Sequence, residues 1–227
     1  PLFNDLWSYD FKSGAWTELY PLGTRPSARR EHVSFRNGDK YYIFSGFDGS
    51  AYLNDMYEYD LTNSVWSEII YRSIQIPTPK RRTQVVKYSS KFYLVGGQDA
   101  QKENNDVWAF DVTTLRWTNL FATTTGSEYP TPRFSHCLAV YNDFLIVATG
   151  RTFASDQQEL NDIWVFDLTT RTWRQLTTTN SIRKRYDSTC TVHGTSLYLL
   201  AGYSEDEDAL DMSDFWSMSL LNISDSS

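Results

Sequence analysis

The chain has 227 residues, a net charge of −7, and 41% hydrophobic and 16% aromatic side chains. That composition is too apolar and aromatic for a disordered chain, too acidic for a general nucleic-acid binder, and holds no apolar run long enough for a membrane-spanning helix, so membrane insertion is not expected. No signal-like apolar segment opens it, and its two cysteines, Cys137 and Cys190, have no metal-ligand spacing; the expectation is buried free thiols in a reducing compartment, hence a cytoplasmic or nuclear location.

The chain begins at Pro1, already inside a repeated unit, so its start is expected to be the boundary of a piece of a longer protein. Asn4 onward reads N-D-L-W-S-Y-D and closes on Trp16. The same pattern returns as N-D-M-Y-E-Y-D from Asn54 to Trp66, N-D-V-W-A-F-D from Asn105 to Trp117, and N-D-I-W-V-F-D from Asn161 to Trp173. A fading copy, S-D-F-W-S-M, starts at Ser213. The leading acids Asp5, Asp55, Asp106, Asp162 and Asp214 lie 50, 51, 56 and 52 residues apart.

In the first full copy, strand one is predicted over Glu31–Arg36 and strand two over Lys40–Gly46, joined by a two-residue Asn37-Gly38 turn of the type hairpins favour. A variable loop from Phe47 to Leu53 leads to strand three, Asp55–Leu61. A turn over Thr62–Val65 precedes strand four, Trp66–Ile70. A long loop with Pro77 and Pro79 then joins the next copy, and proline suits it because it cannot donate to a sheet ladder. Arg29, Arg81, Arg133 and Arg185 recur every 52 residues, and each is followed by an apolar run ending in Gly46, Gly97, Gly150 or Gly202. A period near 50 with four strands and no helical periodicity points to a β-propeller blade.

These residues resemble kelch repeats: the small residue and Gly after a β-branched run, the N-D-x-W-x-Y-D strand, the turn, the Trp and the P-x-x-R approach to the next copy. The spacing is similar to that of the intracellular kelch proteins with repeats of roughly 50 residues. Only Gly96-Gly97 is a true double glycine; the other copies read Ser45-Gly46, Thr149-Gly150 and Ala201-Gly202. The resemblance implies an all-β fold, a kelch-type β-propeller of four-stranded antiparallel blades with about five blades represented, part of a six- or seven-bladed ring. A five-bladed closure is the alternative. On this reading residues 1–221 are propeller: 1–28 supply strands three and four of a first blade, 29–80, 81–132 and 133–184 are complete repeats, 185–221 lack strand four, and 222–227 are a tail.

Repetition sorts structure from function. Arg29, Arg81, Arg133, Arg185, the four glycines and Trp16, Trp66, Trp117 and Trp173 recur and are expected to be scaffold, the arginines pairing with carboxylates or loop carbonyls. The Asp that opens strand three is expected to form a turn. Residues that vary at equivalent places on the end bearing the blade-joining loops are expected to bind a partner: Arg30, Glu31, Phe47, Asp48, Arg82, Gln98, Phe134, Arg151, Phe153, Tyr186 and Tyr203. Joining loops with Arg25, Arg183 and Lys184 are basic, which suits an acidic segment of a protein partner. The acidic run Glu205-Asp206-Glu207-Asp208 lacks the spacing of a Ca²⁺ loop.

No nucleophile, histidine and acid are placed as a triad, no ligand set suits zinc or copper, and no glycine loop suits phosphate, so no catalytic residue, metal or cofactor is assigned. His32 and His136 share one column and read as structural, with Gln84 and Ser188 in the other copies. The expected function is a non-catalytic interaction module, acting as scaffold, adaptor or substrate receptor. A sugar mutarotase-like enzyme or small-ligand binder using the central pocket, and a purely architectural ring, stay open beside it.

Overall fold

The computed structural model describes residues 1–153, 159–205, 213–221 and 223. Strands β1 (Leu6–Asp10) and β2 (Ala15–Leu19) form a hairpin by themselves. The first full blade holds β4 (Val33–Asn37), β5 (Lys40–Phe44), β6 (Met56–Asp60) and β7 (Val65–Glu68), with a two-residue strand β3 (Leu22–Gly23) added parallel to β7. The next blade is β8 (Gln84–Tyr88), β9 (Lys91–Gln98), β10 (Glu103–Asp111) and β11 (Arg116–Phe121). The third is β12 (Cys137–Tyr141), β13 (Phe144–Ala148), β14 (Ile163–Asp167) and β15 (Thr172–Leu176). The last described sheet has three strands, β16 (Thr189–His193), β17 (Ser196–Leu200) and β18 (Phe215–Ser219). The blade pattern is therefore the expected one, antiparallel throughout apart from β3.

The strands form where alternation allows one row of side chains to face each neighbouring blade. The first strands β4, β8, β12 and β16 sit side by side along the inner edge. Between them lie the core layers. Phe44 and Met56 of one blade pack with Phe92, Phe110 and Trp117 of the next; Val95 and Val107 pack with Leu145, Phe166 and Trp173; Ile146 and Val165 pack with Leu197 and Leu199. In each hairpin of strands three and four the closing Trp lies against the aromatic opposite it: Tyr9–Trp16, Tyr59–Trp66, Phe110–Trp117 and Phe166–Trp173 have ring centroids 5.0, 5.0, 4.8 and 5.0 Å apart. Burying rings of this size contributes about 3 kcal/mol each, so the buried Trp66, Trp117 and Trp173 help to hold the blades together, whereas Trp16 is exposed.

Several local expectations are corrected. The first hairpin turn sits one residue later than predicted: Asn37 pairs with Lys40, and the left-handed φ falls on Gly38 at 59°. The turn after strand three is built by the Asp that ends the strand, not the one that opens it. Asp10, Asp60, Asp111 and Asp167 each accept backbone N–H groups two and three residues on, at 2.7–3.1 Å, which fixes the turn locally. Strand β3 was not foreseen. It depends on Gly23, whose φ of 84° and whose approach to the Trp66 carbonyl leave no room for a Cβ.

Cys137 and Cys190 are not free thiols. They form a disulfide between β12 and β16, with Cα atoms 5.7 Å apart, so the innermost strands of the last two blades are covalently joined. Cysteine usage therefore does not argue for a reducing compartment. The acidic run at Glu205 lies, beyond that residue, outside the described residues, and so does the tail except Ile223.

Candidate interaction face

One end of the blades is organised by a buried cation. Arg29 reaches Asp55 through two hydrogen bonds of 2.7 and 2.9 Å and donates to the Ser45 carbonyl at 3.1 Å. Arg133 does the same with Asp162, at 2.6 and 2.8 Å, and with the Thr149 carbonyl. Arg185 repeats it with Asp214, at 2.5 and 2.8 Å, and with the Ala201 carbonyl. The acid also accepts from the indole of strand three, as in Trp108–Asp106 at 2.8 Å and Trp164–Asp162 at 2.7 Å. This is the cation, carboxylate and carbonyl pairing expected of the repeated arginines. Burial alone would raise the Asp162 carboxyl; the bonds and charge of Arg133 outweigh it and hold the group below the ordinary carboxylate range. The bonds from Arg185 lower Asp214 to about 2.

In the second full copy the position belongs to Lys80, not to Arg81. Lys80 is fully buried and reaches both oxygens of Asp106, at 2.9 and 2.8 Å. With Lys80 in place the cation precedes its glycine by the same interval in all four copies, Arg29–Gly46, Lys80–Gly97, Arg133–Gly150 and Arg185–Gly202. The run Lys80-Arg81-Arg82 hides this register, because Arg81 is the more typical residue.

The correction moves Arg81 to the surface row. The residue after each buried cation pairs across a single β-bridge with the residue after each glycine: Arg30 with Phe47, Arg81 with Gln98, Phe134 with Arg151, Tyr186 with Tyr203. These pairs form a rim in which guanidinium groups lie over rings. Arg30 stands 5.4 Å from the Phe47 centroid, and Arg81 stands 5.5 Å from Phe47 and 5.2 Å from Tyr52. Arg82 stands 5.3 Å from Phe134. Arg151 lies 5.3 Å from Phe153 and 4.9 Å from Tyr186, whose ring packs on Tyr203.

The inner boundary of the rim is a relay of backbone bonds around the mouth of the axis. Arg82 N donates to the Glu31 carbonyl at 3.0 Å, Ser135 N to Arg82 at 3.1 Å, and Asp187 N to Ser135 at 2.9 Å. All four residues have φ between 52° and 59°, a left-handed conformation uncommon outside glycine. Together with His32 and Thr83 they line a cavity of about 440 Å³.

The structure thus brings Arg30, Glu31, Phe47, Arg82, Gln98, Arg151, Phe153, Tyr186 and Tyr203 to one end. It presents them unequally. Phe153 is exposed, whereas Phe134 is wholly buried and serves as the floor beneath Arg82 and Phe153. Asp48 turns inward on its own loop, accepting from Ser50 N and Ala51 N at 2.8 and 2.7 Å; those bonds lower its carboxyl and make it a turn former. Glu31 ties Arg81 and Arg82, each at 2.9 Å, and Arg151 meets Glu205 at 2.7 Å. Tyr52, Arg81, Glu205 and Asp187 also belong to this end, outside the set expected to bind a partner. The constant cation-to-glycine interval was the signal that would have exposed Arg81.

His136 is buried with neither ring nitrogen hydrogen-bonded among the described residues. Its neighbours in the column are Thr83, not Gln84, and Ser188, which bond to the Val95 carbonyl and the Thr149 hydroxyl. Burial, with Arg133 nearby, lowers its imidazole to about 3.

Two family models cover the chain: a KLHDC2/KLHL20/DRC7 Kelch-repeats domain over residues 1–150, and an Attractin/LZTR1 beta-propeller over residues 92–220. The chain is 31% identical over 176 residues to Leucine-zipper-like transcriptional regulator 1 of Mus musculus, an alignment covering 75% of this chain and 20% of that protein. It is 26% identical over 220 residues to the Drosophila melanogaster homolog, covering 90% and 22%. It is 26% identical over 240 residues to human Kelch domain-containing protein 1, covering 94% and 58%. The chain therefore spans between about a fifth and three fifths of the length of these relatives. The repeated cation–carboxylate and tryptophan columns, the four-stranded blades and both family models agree: this chain belongs to the kelch-repeat β-propeller family.

Proposed function

We propose that the chain is a non-catalytic protein-interaction module that engages a partner protein through the arginine–aromatic rim, in the manner of a scaffold, adaptor or substrate receptor. The observation that carries the reading is a contrast within each repeat. The buried cation, its carboxylate and the glycine recur in every full copy, whereas the next residue along is Arg30, Arg81, Phe134 or Tyr186. Variation at a fixed, supported position is what a recognition surface needs and a scaffold does not. Likeness to kelch-domain proteins supports the interaction role.

Arginine and aromatic residues are the side chains that most often anchor interfaces. Here they are held rigid by stacking and by ion pairs, so little rotamer freedom is lost on docking. Arg81, Arg82 and Arg151 already face carboxylates. Arg30 is exposed and has no carboxylate partner among the described residues. The partner is thus met first by stacking surfaces, with an acidic segment matched to Arg30.

The test is affinity capture with Arg30→Glu/Phe153→Ala, against Lys12→Glu in a hairpin turn at the opposite end. Capture of a specific partner should fall at least about tenfold for the rim variant and stay unchanged for the control. Equal capture by both variants would exclude this face.

A further inference from the structure

Cys137 stands four residues past the buried cation Arg133, and Cys190 five past Arg185. At the junction of the first two full blades the same places hold Val33 and Val85, which pack in one apolar cluster. At the next junction they hold Gln84 and Leu138. Non-covalent packing therefore closes the inner edge elsewhere, and Ile146, Val165, Leu197 and Leu199 supply it at the disulfide's own junction as well. With two cysteines in the chain, the covalent link exists at one junction, between β12 and β16. A link that does not recur is an addition to the scaffold.

That junction carries the Arg151 half of the rim. Phe134 stands three residues before Cys137 and Tyr186 four before Cys190, so no more than about 14 Å of chain separates the disulfide from the rim. Between them Asp187 N donates to the Ser135 carbonyl at 2.9 Å, and the Thr149 and Ser188 hydroxyls meet at 2.8 Å. At the surface Arg151 donates to the Tyr186 hydroxyl at 3.2 Å and pairs with Glu205. The Glu159 carboxylate in turn accepts from the Ser204 hydroxyl and the Glu205 N–H. All of these contacts cross from one blade to the next, and all are polar. Those open to water hold their groups loosely, so the disulfide is the strong tie at this end of the junction.

We propose that Cys137–Cys190 is a redox-responsive clasp that fixes the Phe134, Arg151 and Phe153 part of the rim against the Tyr186 and Tyr203 part. Cys137 is buried and Cys190 half-buried, so Cys190 Sγ is the sulfur open to attack. The thiolate of a small thiol or dithiol bonds to Cys190 Sγ, the S–S bond breaks, and Cys137 leaves as a thiolate that takes up a proton. A second thiolate then takes the reductant's sulfur off Cys190, which leaves as a thiolate and is protonated in turn. Two electrons pass to the protein, and the reductant departs as a disulfide. After reduction the two blades stay stacked through their apolar layer, but their rim ends move relative to each other. The consequence for binding rests on the proposed interaction face: capture there depends on the redox state of the surroundings.

The backbone relay at the mouth reads this without a partner. Its inter-blade amides report successive junctions: Arg82 the first, Ser135 the second and Asp187 the disulfide-bonded one. Residue-resolved hydrogen exchange of the 227-residue chain, oxidised or in dithiothreitol, is the test. Asp187 should exchange at least about tenfold faster after reduction, with Arg82 and Ser135 unchanged. The variant Cys137→Val/Cys190→Val gives this junction the residue types that Val33 and Val85 supply at the first. It should exchange Asp187 at the fast rate with or without reductant, while unchanged protection across β14 and β15 verifies that the blade is folded. The proposal is overturned by equal Asp187 exchange in the oxidised and reduced chain, or by acceleration of all three amides alike. It is also overturned by a valine variant that matches the oxidised chain or still responds to dithiothreitol, or by two titratable thiols in the oxidised, denatured chain. None of these outcomes bears on capture by Arg30→Glu/Phe153→Ala, so the clasp and the interaction face fail separately.

Discussion

At the scale of single residues, the second full copy is the informative one, because its scaffold cation is a lysine. Removing one member of a buried, hydrogen-bonded ion pair leaves the other charge uncompensated and costs about 3–5 kcal/mol. Lys80 and Asp106 are both buried, so Lys80→Ala should destabilise the chain by that amount. Arg81→Ala removes a half-buried pair with Glu31 and should cost about 1 kcal/mol or less. Chemical denaturation of the two variants checks the order; a larger loss for Arg81 would restore the register that the arginine spacing suggests. His136 gives a pH signature. Its folded value is depressed to about 3, so the unfolded chain binds the proton first. Stability should therefore be fully present above the unfolded value near 6.5, and fall as pH drops from about 6.5 toward 3, by at most about 1.4 kcal/mol per unit from this group. Thr83 and Ser188 fill the same column with hydroxyls, so His136→Ser should fold. Denaturation curves for that variant between pH 7 and 4.5 should decline less steeply than those of the unaltered chain.

At the scale of elements, most of the blade was legible. The recurrence of N-D-x-W-x-Y-D and Trp located strands three and four, and the hairpin turn with the apolar run ending in glycine located strands one and two, because one periodic pattern served four copies. What stayed hidden had no repeated signature. Strand β3 is two residues long and rests on Gly23 meeting the Trp66 carbonyl. Phe134 looked like an exposed anchor because its equivalents Arg30 and Tyr186 reach the surface; burial depends on the ring beside it, Phe153, which no spacing rule reports. The disulfide was illegible for a related reason. Cys137 and Cys190 fall 53 residues apart, one near-repeat, but nothing local says that neighbouring first strands face each other at that level. Closing a loop of that length stabilises by about 4 kcal/mol in the chain-entropy account. Reduction should accordingly lower the thermal midpoint, and Cys137→Ser/Cys190→Ser should lower it equally and abolish the response to reductant. A midpoint indifferent to reductant in the unaltered chain would show that the pair does not staple the last two blades.

At the scale of the molecule, the chain is an arc of stacked blades whose interior layers repeat and whose two ends and one rim do not. Stability of such an array is close to a sum of blade and interface contributions, so changes to the buried columns act everywhere alike, while changes at the rim leave the scaffold intact. That separation made the site half legible. Repetition placed the varying residues together on one end of the blades, where the structure also has them, but their unequal presentation there required the ion pairs of Glu31, the inward turn of Asp48 and the exposure of Phe153. Hydroxyl-radical footprinting of the chain, alone and with its captured partner, tests the assignment most directly. Protection on binding should concentrate on Phe47, Phe153, Tyr186 and Tyr203, with Phe11 and Tyr20 of the terminal hairpin region unchanged. Protection at the strand one–two turns of the opposite end, around Tyr88 and Tyr141, with the rim still reactive, would contradict it.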